Sequence, residues 1–417
     1  MLKKTNDIII IGGGAAGFFA AINLAELLKG LNIFILEKDT RVLSKVKVSG
    51  GGRCNVTNGC SDAMNLIKNY PRGGKELIGP FNSFGTSETI KWFEDHGVKL
   101  KTEDDGRVFP VTDKSQTIID CFLNLARENN IQIQTGKNVS SITISDQNKF
   151  ILSTKENEKF EADKLIITTG SNNPIWNELH KLGHKIIEPV PSLFTFNIDD
   201  ELLKELSGVV VENVHLQIQK TKLNSNGPLL ITHWGLSGPS VLSLSAFAAR
   251  ELNKMNYNFQ LQVDWLPLLG YGKIETELKE IIVSKRNKSV SAQSLFKLPK
   301  RLVEKFFVKS GIDSDKHWGE VSKKEISALI EILKATKFLV KGKSTFKEEF
   351  VTAGGVELKE INFKTMQSKL IKNLFFAGEV LNIDAVTGGF NFQSAWTTGW
   401  LAANGIAASI NEKEIKE

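Results

Sequence analysis

Residues 7–17 read DIIIIGGGAAG. Asp7 to Ile11 has the unbroken β-branched run of a central parallel strand covered by helices on both faces. Gly12, Gly14 and Gly17 then fall in the G-x-G-x-x-G spacing. The first glycine makes a tight turn, the second lets backbone approach a pyrophosphate, and the third lets the following helix pack on the strand. Phe18 to Lys29 continues as that helix, and Leu31 to Leu36 is a second apolar strand ending at Glu37, twenty residues after Gly17. A carboxylate there can accept both hydroxyl hydrogens of an adenosine ribose, and Glu in place of Arg or Lys argues against a 2′-phosphate. The helix N-terminus offers unpaired N–H groups and partial positive charge to two phosphates. The unit reads as a dinucleotide-binding βαβ element for FAD or NAD.

Three later segments favour flavin. Ser49 to Asn58, SGGGRCNVTN, is too glycine-dense for a helix or strand, and its free N–H groups with the Arg53 guanidinium suit an anion and a heterocycle. Lys164 to Thr169 is another buried strand, closing on Gly170. Leu374 to Ala377 is a strand followed by Gly378-Glu379, a loop through Asp384, and Gly388-Gly389-Phe390-Asn391 opening a helix to about Ala408. With the pyrophosphate of FAD on the first turn, this second helix would set its N–H groups near the pyrimidine side of the isoalloxazine, where reduction leaves negative charge. No second G-x-G-x-x-G follows a strand. A resident nicotinamide domain is therefore not expected, and NAD(P)H would visit only transiently as electron donor.

From Pro191 the pattern changes to period two: Val214, Leu216 and Ile218, then Phe259, Leu261, Val263 and Trp265, alternate with polar residues as half-exposed antiparallel strands do. Ser237-Gly238-Pro239 starts a helix to about Leu252, with Pro239 suited to the first helical position. Helical periodicity holds from Gly272 to Ala335, where Ile274, Leu278, Ile281 and Ile282 share a face and Ser322 with Glu325 forms a capping box. The expected architecture is α/β: an FAD-binding Rossmann-type domain (1–190 and 351–417) with an inserted β-barrel substrate subdomain (191–269 and 336–350) that carries a helical subdomain (270–335).

A chain of 417 residues suggests two or three domains at about one per 150 residues. An apolar fraction of 41%, a charged fraction of 24% and a mean hydropathy of −0.13 fit a soluble globular protein. The net charge of +6, from 53 Lys and Arg against 47 Asp and Glu, reads as a modest excess spread along the chain. The expected partner is thus a small-molecule substrate and not nucleic acid, with the oligomeric state left open. Cys54, Cys60 and Cys121 are too few for a disulfide framework, and a cytoplasmic location is expected. Ile8 to Ala25 is uncharged, but its glycines belong to the turn, so no membrane segment is expected. His180 and His184 have the spacing of a helical metal pair but lack a third ligand, so no metal is expected. For His233 a structural role in its turn outweighs a catalytic one.

The blocks IIIIGGGAAG (8–17), SGGGRCNVTN (49–58), THWGLSGP (232–239), VTAGGVELKEI (351–361) and LFFAGEVLNIDAVTGGFNFQSAWTTG (374–399) together resemble the HI0933-like flavoprotein family, with its bile-acid-inducible reductase and aminoacetone oxidase relatives. The resemblance implies non-covalent FAD in a glutathione-reductase-type fold. Carried over by position, it implies that Gly12, Gly14, Gly17, Glu37, Gly51, Gly52, Arg53, Cys54, Asn55 and Gly170 line the cofactor. Ala15, Ala16, Lys38 and Thr169 flank them, and Gly378, Glu379, Asp384, Gly389, Phe390 and Asn391 come from the last block. Val139 matches the position whose backbone meets adenine. The chain departs from the family pattern at Ser171, Asn382, Ala385 and Phe390, all near the expected flavin ring. The function expected is FAD-dependent hydride transfer between flavin N5 and a small organic substrate or NAD(P)H. A flavin amine oxidase using oxygen and an RNA-associated flavoprotein are the alternatives. No residue is singled out as catalytic acid or base.

Overall fold

The computed structural model describes residues 7–344 and 351–414. The boundary expected at 350 lies outside the described residues. The chain divides into two compact units, Met1–Val190 with Lys347–Glu417, and Pro191–Phe346.

The first unit is built on a parallel sheet. Strand β1 (Asp7–Ile11) leads through helix α1 (Ala15–Leu27) to β2 (Asn32–Leu36); β3 (Gln132–Gln134), β4 (Lys164–Ile167) and β5 (Leu374–Phe376) complete it. The order is β3-β2-β1-β4-β5, with Ile10 beside both Ile35 and Ile166. A short antiparallel hairpin, Ile361–Asn362 with Gln367–Ser368, extends it beyond β5. The chain leaves β1 toward one edge and returns through β4 toward the other, so the topological switch point lies between them. Ligands of such sheets sit outside the carboxyl ends at that place.

Ile8 to Ile11 are at most 4% exposed, and α1 buries Phe18, Phe19, Ile22 and Leu24, which matches a strand and helix apolar on every side. A 25-residue helix α2 (Phe390–Glu414) lies against α1. A Cβ on its Gly399 would stand 3.0 Å from Ala16 O, so glycine sets the closeness of that crossing. The polar side chains on the buried face of α2 all find partners: Thr398 Oγ1 accepts from Gly378 N–H (2.9 Å), Thr397 donates to Phe84 O (2.8 Å), and Trp396 Nε1 donates to Val56 O (2.8 Å).

The helix ends differ from expectation by a few residues: α1 stops at Leu27, and α2 runs past Ala408 to Glu414. A larger difference is at 49–58. Thr57–Asn58, excluded from regular structure by the glycine density ahead of it, pairs antiparallel with Arg107–Pro110.

The second unit holds seven antiparallel strands, in the order 336–341, 258–264, 210–218, 224–232, 235–237, 195–197 and 343–344. The two outermost pieces are halves of one strand joined at Gly342, whose φ of +90° suits glycine. Gly342 N–H donates to Tyr257 O on one side (2.9 Å) and its carbonyl accepts from Asn197 N–H on the other (3.2 Å), which closes the sheet into a barrel. Val214, Leu216, Ile218, Leu261 and Val263 point inward and are wholly buried. Helices Tyr271–Ser284, Lys300–Ser310 and Lys323–Ala335 share that core: Ile274, Leu278, Phe306 and Leu329 pack in the same cluster as Val214 and Leu261. Ser322 and Glu325 form their capping box. The helix expected from Pro239 to Leu252 breaks at Ala248 into Pro239–Phe247 and Ala249–Lys254.

The positive charge is not spread along the chain as its overall balance suggests. Residues 285–309 hold eight Lys or Arg against one acid, Glu304, a net of +7 in a chain whose total is +6.

Candidate functional site at the carboxyl ends of the parallel sheet

The three motif glycines do three different jobs. Gly12 takes φ +113°, and a Cβ there would lie 2.6 Å from Thr168 O. A Cβ on Gly17 would lie 2.1 Å from Gly12 O and 2.8 Å from Thr168 Oγ1. Both are packing glycines. At Gly14 a Cβ would meet nothing within 4 Å, so the one open glycine is the one over which a diphosphate can lie. The first bond of α1 runs from Phe18 N–H to Gly14 O (3.1 Å). The N–H groups of Ala15, Ala16 and Gly17 precede it and carry the positive end of the helix.

Glu37 is turned back over this turn. Its Oε2 accepts from Gly13 N–H (2.7 Å) and its Oε1 from Asp39 N–H (2.9 Å), while Lys38 is exposed. The Val139 segment joins the same end: Lys137 N–H donates to Glu37 O (2.8 Å), and Val139 N–H donates to Lys137 O (3.1 Å). Across the switch point, Thr168 Oγ1 contacts Ile11 O and Gly12 O at 2.9 Å, while the buried Thr169 Oγ1 beside it has no partner among the described residues. Such an orphan needs a ligand or water to satisfy it.

Glu37→Gln keeps an acceptor for Gly13 N–H and removes the charge that would favour two ribose hydroxyls. It is expected to lower FAD affinity about tenfold with little change in melting of the apoprotein. Titration of apoprotein with FAD beside a thermal scan checks this; equal effects on both would make Glu37 a structural residue.

In the segment 49–58, the helix begun at Ser44 ends at Ser49, and Gly50, Gly51 and Gly52 all take left-handed φ of +57° to +84°. Cβ atoms on Gly51 and Gly52 would meet nothing within 4 Å, a second open backbone surface. The side chains that follow are engaged with protein. Cys54 is wholly buried, and burial pushes its thiol up to about 12, so it is no thiolate at neutral pH. Cys54, Cys60 and Cys121 are all free thiols. The Arg53 guanidinium, expected as a free cation for an anion, is instead paired with Glu103 and with Asp113 (2.7 Å) and lies 3.8 Å over the Phe109 ring. Sequence could not show this, because its partners are 50 and 60 residues away. Asn55, with its amide oriented to satisfy both ends, accepts from Gly389 N–H (2.9 Å) and donates to Thr57 O (3.0 Å). It thereby ties this loop to the start of α2.

In the last block a Cβ on Gly170 would lie 3.4 Å from Glu379 Oε2, so β4 and β5 bring Gly170 and Glu379 together. Lys45 Nζ reaches Glu379 Oε2 at 2.6 Å, and Thr352 N–H donates to Oε1 at 3.3 Å. Asp384 is not a lining carboxylate: it is 0% exposed and clasped by Arg72 through both oxygens. Asn391 exchanges two bonds with the Ala385 backbone, each 3.0 Å, which sets the loop into α2. Phe390 is buried with its ring edge-on to Tyr70, whose hydroxyl donates to Phe390 O (2.6 Å). Gly389 packs on Thr57, whose carbonyl would be 2.3 Å from a Cβ. Sequence reasoning missed Lys45, Arg72 and Thr168. Lys45 and Arg72 carry no local motif, and their partners are 334 and 312 residues distant.

His180 and His184 do not form a metal pair. His184 is fully buried, with Nδ1 2.8 Å from Glu360 Oε2 and Nε2 3.0 Å from Ser368 Oγ. Burial holds its imidazole below the ordinary value against the opposite pull of Glu360. The neutral ring therefore contributes stability fully above pH ~6.5, the unfolded value, and loses it as pH falls through the lower folded value. Melting of His184→Gln is expected to fall less steeply than wild type below that pH, and parallel curves would contradict it.

The HI0933-like protein Rossmann domain matches residues 6–405. This chain belongs to the HI0933-like family. It is 26% identical over 412 residues to the 3-dehydro-bile acid delta(4,6)-reductase of Clostridium scindens, covering 96% of this chain and 99% of that one. It is 29% identical over 415 residues to the ribosomal RNA dihydrouridine synthase of Escherichia coli, covering 97% and 98%, and 27% identical to that of Haemophilus influenzae, covering 97% and 100%. Among solved structures it resembles the 3-ketosteroid-delta4-(5alpha)-dehydrogenase of Rhodococcus jostii, with a TM-score of 0.51 at 12% identity over 97% of this chain and 98% of that one, a likeness of fold alone. As a member of this family the chain is an FAD-dependent oxidoreductase. The open surfaces at Gly14, Gly51 and Gly52 and the orphan Thr169 hydroxyl fit that cofactor. Among the described residues no helix is long and apolar enough to cross a membrane.

Proposed function

We propose that this oxidoreductase adds hydride and a proton across a carbon–carbon double bond conjugated to a carbonyl, and that its substrate is a uracil ring of ribosomal RNA. What carries the proposal is the end-to-end match to two relatives named for making dihydrouridine in ribosomal RNA. The bile-acid relative is named for the same kind of chemistry, reduction of double bonds conjugated to a ring ketone. Bound FAD supplies hydride from its N5.

The chain's own groups hold and polarise. Gly14 with the first-turn N–H groups of Ala15, Ala16 and Gly17 would take the diphosphate. Glu37 would take the ribose hydroxyls, with Lys38 and the Val139 segment at the adenosine end. Thr169, Gly170, Gly378 and Glu379 would line the way from β4 and β5 to the ring. Gly51, Gly52 and the N-terminus of α2 at Phe390 and Asn391 would set partial positive charge against it, favouring the reduced anion, with Asn55 and Gly389 joined to each other behind them. Arg53, Cys54 and Asp384 would act from behind, by holding those loops in place. Electrons would come from NAD(P)H visiting transiently.

Anaerobic incubation with NADPH and deproteinised ribosomal RNA is expected to convert uridine to dihydrouridine, read by nucleoside mass spectrometry as a gain of H2. Unchanged RNA beside a reduced 3-keto-4-ene steroid would move the substrate to small enones. Bleaching by an amine alone, with peroxide formed on admitting air, would overturn the reductase in favour of an oxidase.

A further inference from the structure

We infer that the exposed basic face formed by residues 285–309 of the second unit is where this protein grips the phosphate backbone of RNA. This rests on the RNA substrate proposed above and adds the surface that binds it.

The helix Lys300–Ser310 buries Leu302, Val303, Phe306 and Phe307 and leaves Lys300, Arg301 and Lys309 exposed, so its cations share the solvent half of the helix. A loop of the same sign is joined to it through the turn at 318–320. Trp318 N–H donates to Lys288 O (3.1 Å) and Gly319 N–H to Arg286 O (2.9 Å), and the Trp318 ring packs edge-on against Phe307 at 5.9 Å. The loop 286–288 is thereby tied to this helix through residues 318–319. Several of these cations already have partners: Lys305 pairs with Glu205 (2.8 Å), Lys309 with Asp200 (3.5 Å), and Lys300 with Glu304 at 3.9 Å. Arg286, Lys288 and Lys297 are exposed and make no ion pair among the described residues.

Like charges crowded on one face repel one another and gain most from a polyanion, which releases counterions as it binds. The face holds one exposed large aliphatic residue, Val308, beside the small Ala292, and no exposed aromatic residue. It lacks the apolar stripe with which an interfacial helix enters lipid, which favours RNA over a membrane.

The test compares the full-length holoprotein with its Lys288→Glu, Lys297→Glu, Lys300→Glu variant. Both are titrated with deproteinised ribosomal RNA at several salt concentrations, and with phosphatidylglycerol vesicles. The variant is expected to keep wild-type FAD content and NADPH-driven flavin reduction. Its RNA affinity should fall about tenfold or more at ~0.1 M salt, with a salt slope shallower by about two to three. Wild type that modifies RNA while the variant binds it with equal affinity and slope would overturn the surface and leave the substrate standing. Wild type that binds no RNA even at low salt would overturn both. A loss confined to vesicles would make the face a lipid contact and overturn the proposal.

Discussion

Gly14→Val is expected to yield a folded, colourless protein. Gly14 has φ −95° and ψ −167°, an extended conformation open to any residue, and its Cβ would enter space that no protein atom occupies within 4 Å. A branched residue at this helix N-cap costs little more than the lost preference for glycine, offset by a less flexible unfolded chain, so apoprotein melting should move by no more than about 1 kcal/mol equivalent. The space it fills is where the diphosphate is proposed to lie, and overlap there should lower FAD affinity by about a hundredfold or more. Gly17→Val provides the contrast, since its Cβ would meet Gly12 O at 2.1 Å and the fold itself should fail. Circular dichroism with flavin absorbance on the purified variants reads both effects. A Gly14→Val protein as yellow as wild type would remove the first turn from the cofactor site.

Arg72→Ala should be strongly destabilising although its side chain reaches the surface. Asp384 is fully buried and Arg72 is its bidentate partner, with 14% of the arginine side chain exposed. Removing the partner leaves a buried carboxylate to be resolvated or protonated, a cost of about 3–5 kcal/mol and a drop in melting temperature on the order of 10 °C. Because Asp384 lies in the loop that leads into α2, FAD content should fall with it. Adding Asp384→Asn removes the stranded charge, so the double variant should melt above Arg72→Ala. A double variant whose loss equals the sum of the two single losses would show that the pair is not coupled.

The parts of the fold visible in sequence are those fixed by local spacing. Gly12, Gly14, Gly17 and Glu37 lie within one βαβ unit, and their distances along the chain determine their places in space. The alternation of Val214, Leu216 and Ile218 likewise showed which face of the barrel they occupy. What sequence could not supply is pairing across hundreds of residues. Lys45 meets Glu379, and Arg72 meets Asp384, only because β4 and β5 return to the switch point. Arg53 looked like a free cation because Glu103 and Asp113 are brought to it by the short sheet at 57–58, 100–102 and 107–110. The basic face escaped notice for a different reason. Its cations are spaced by helix periodicity and a loop, so no run of consecutive lysines marks them.

The most direct measurement is the chromatography of small molecules released when the purified protein is denatured. Equimolar FAD, or its uptake to that level by apoprotein, is the predicted result. Protein that releases no flavin and takes up none would contradict the site at the switch point and the chemistry built on it.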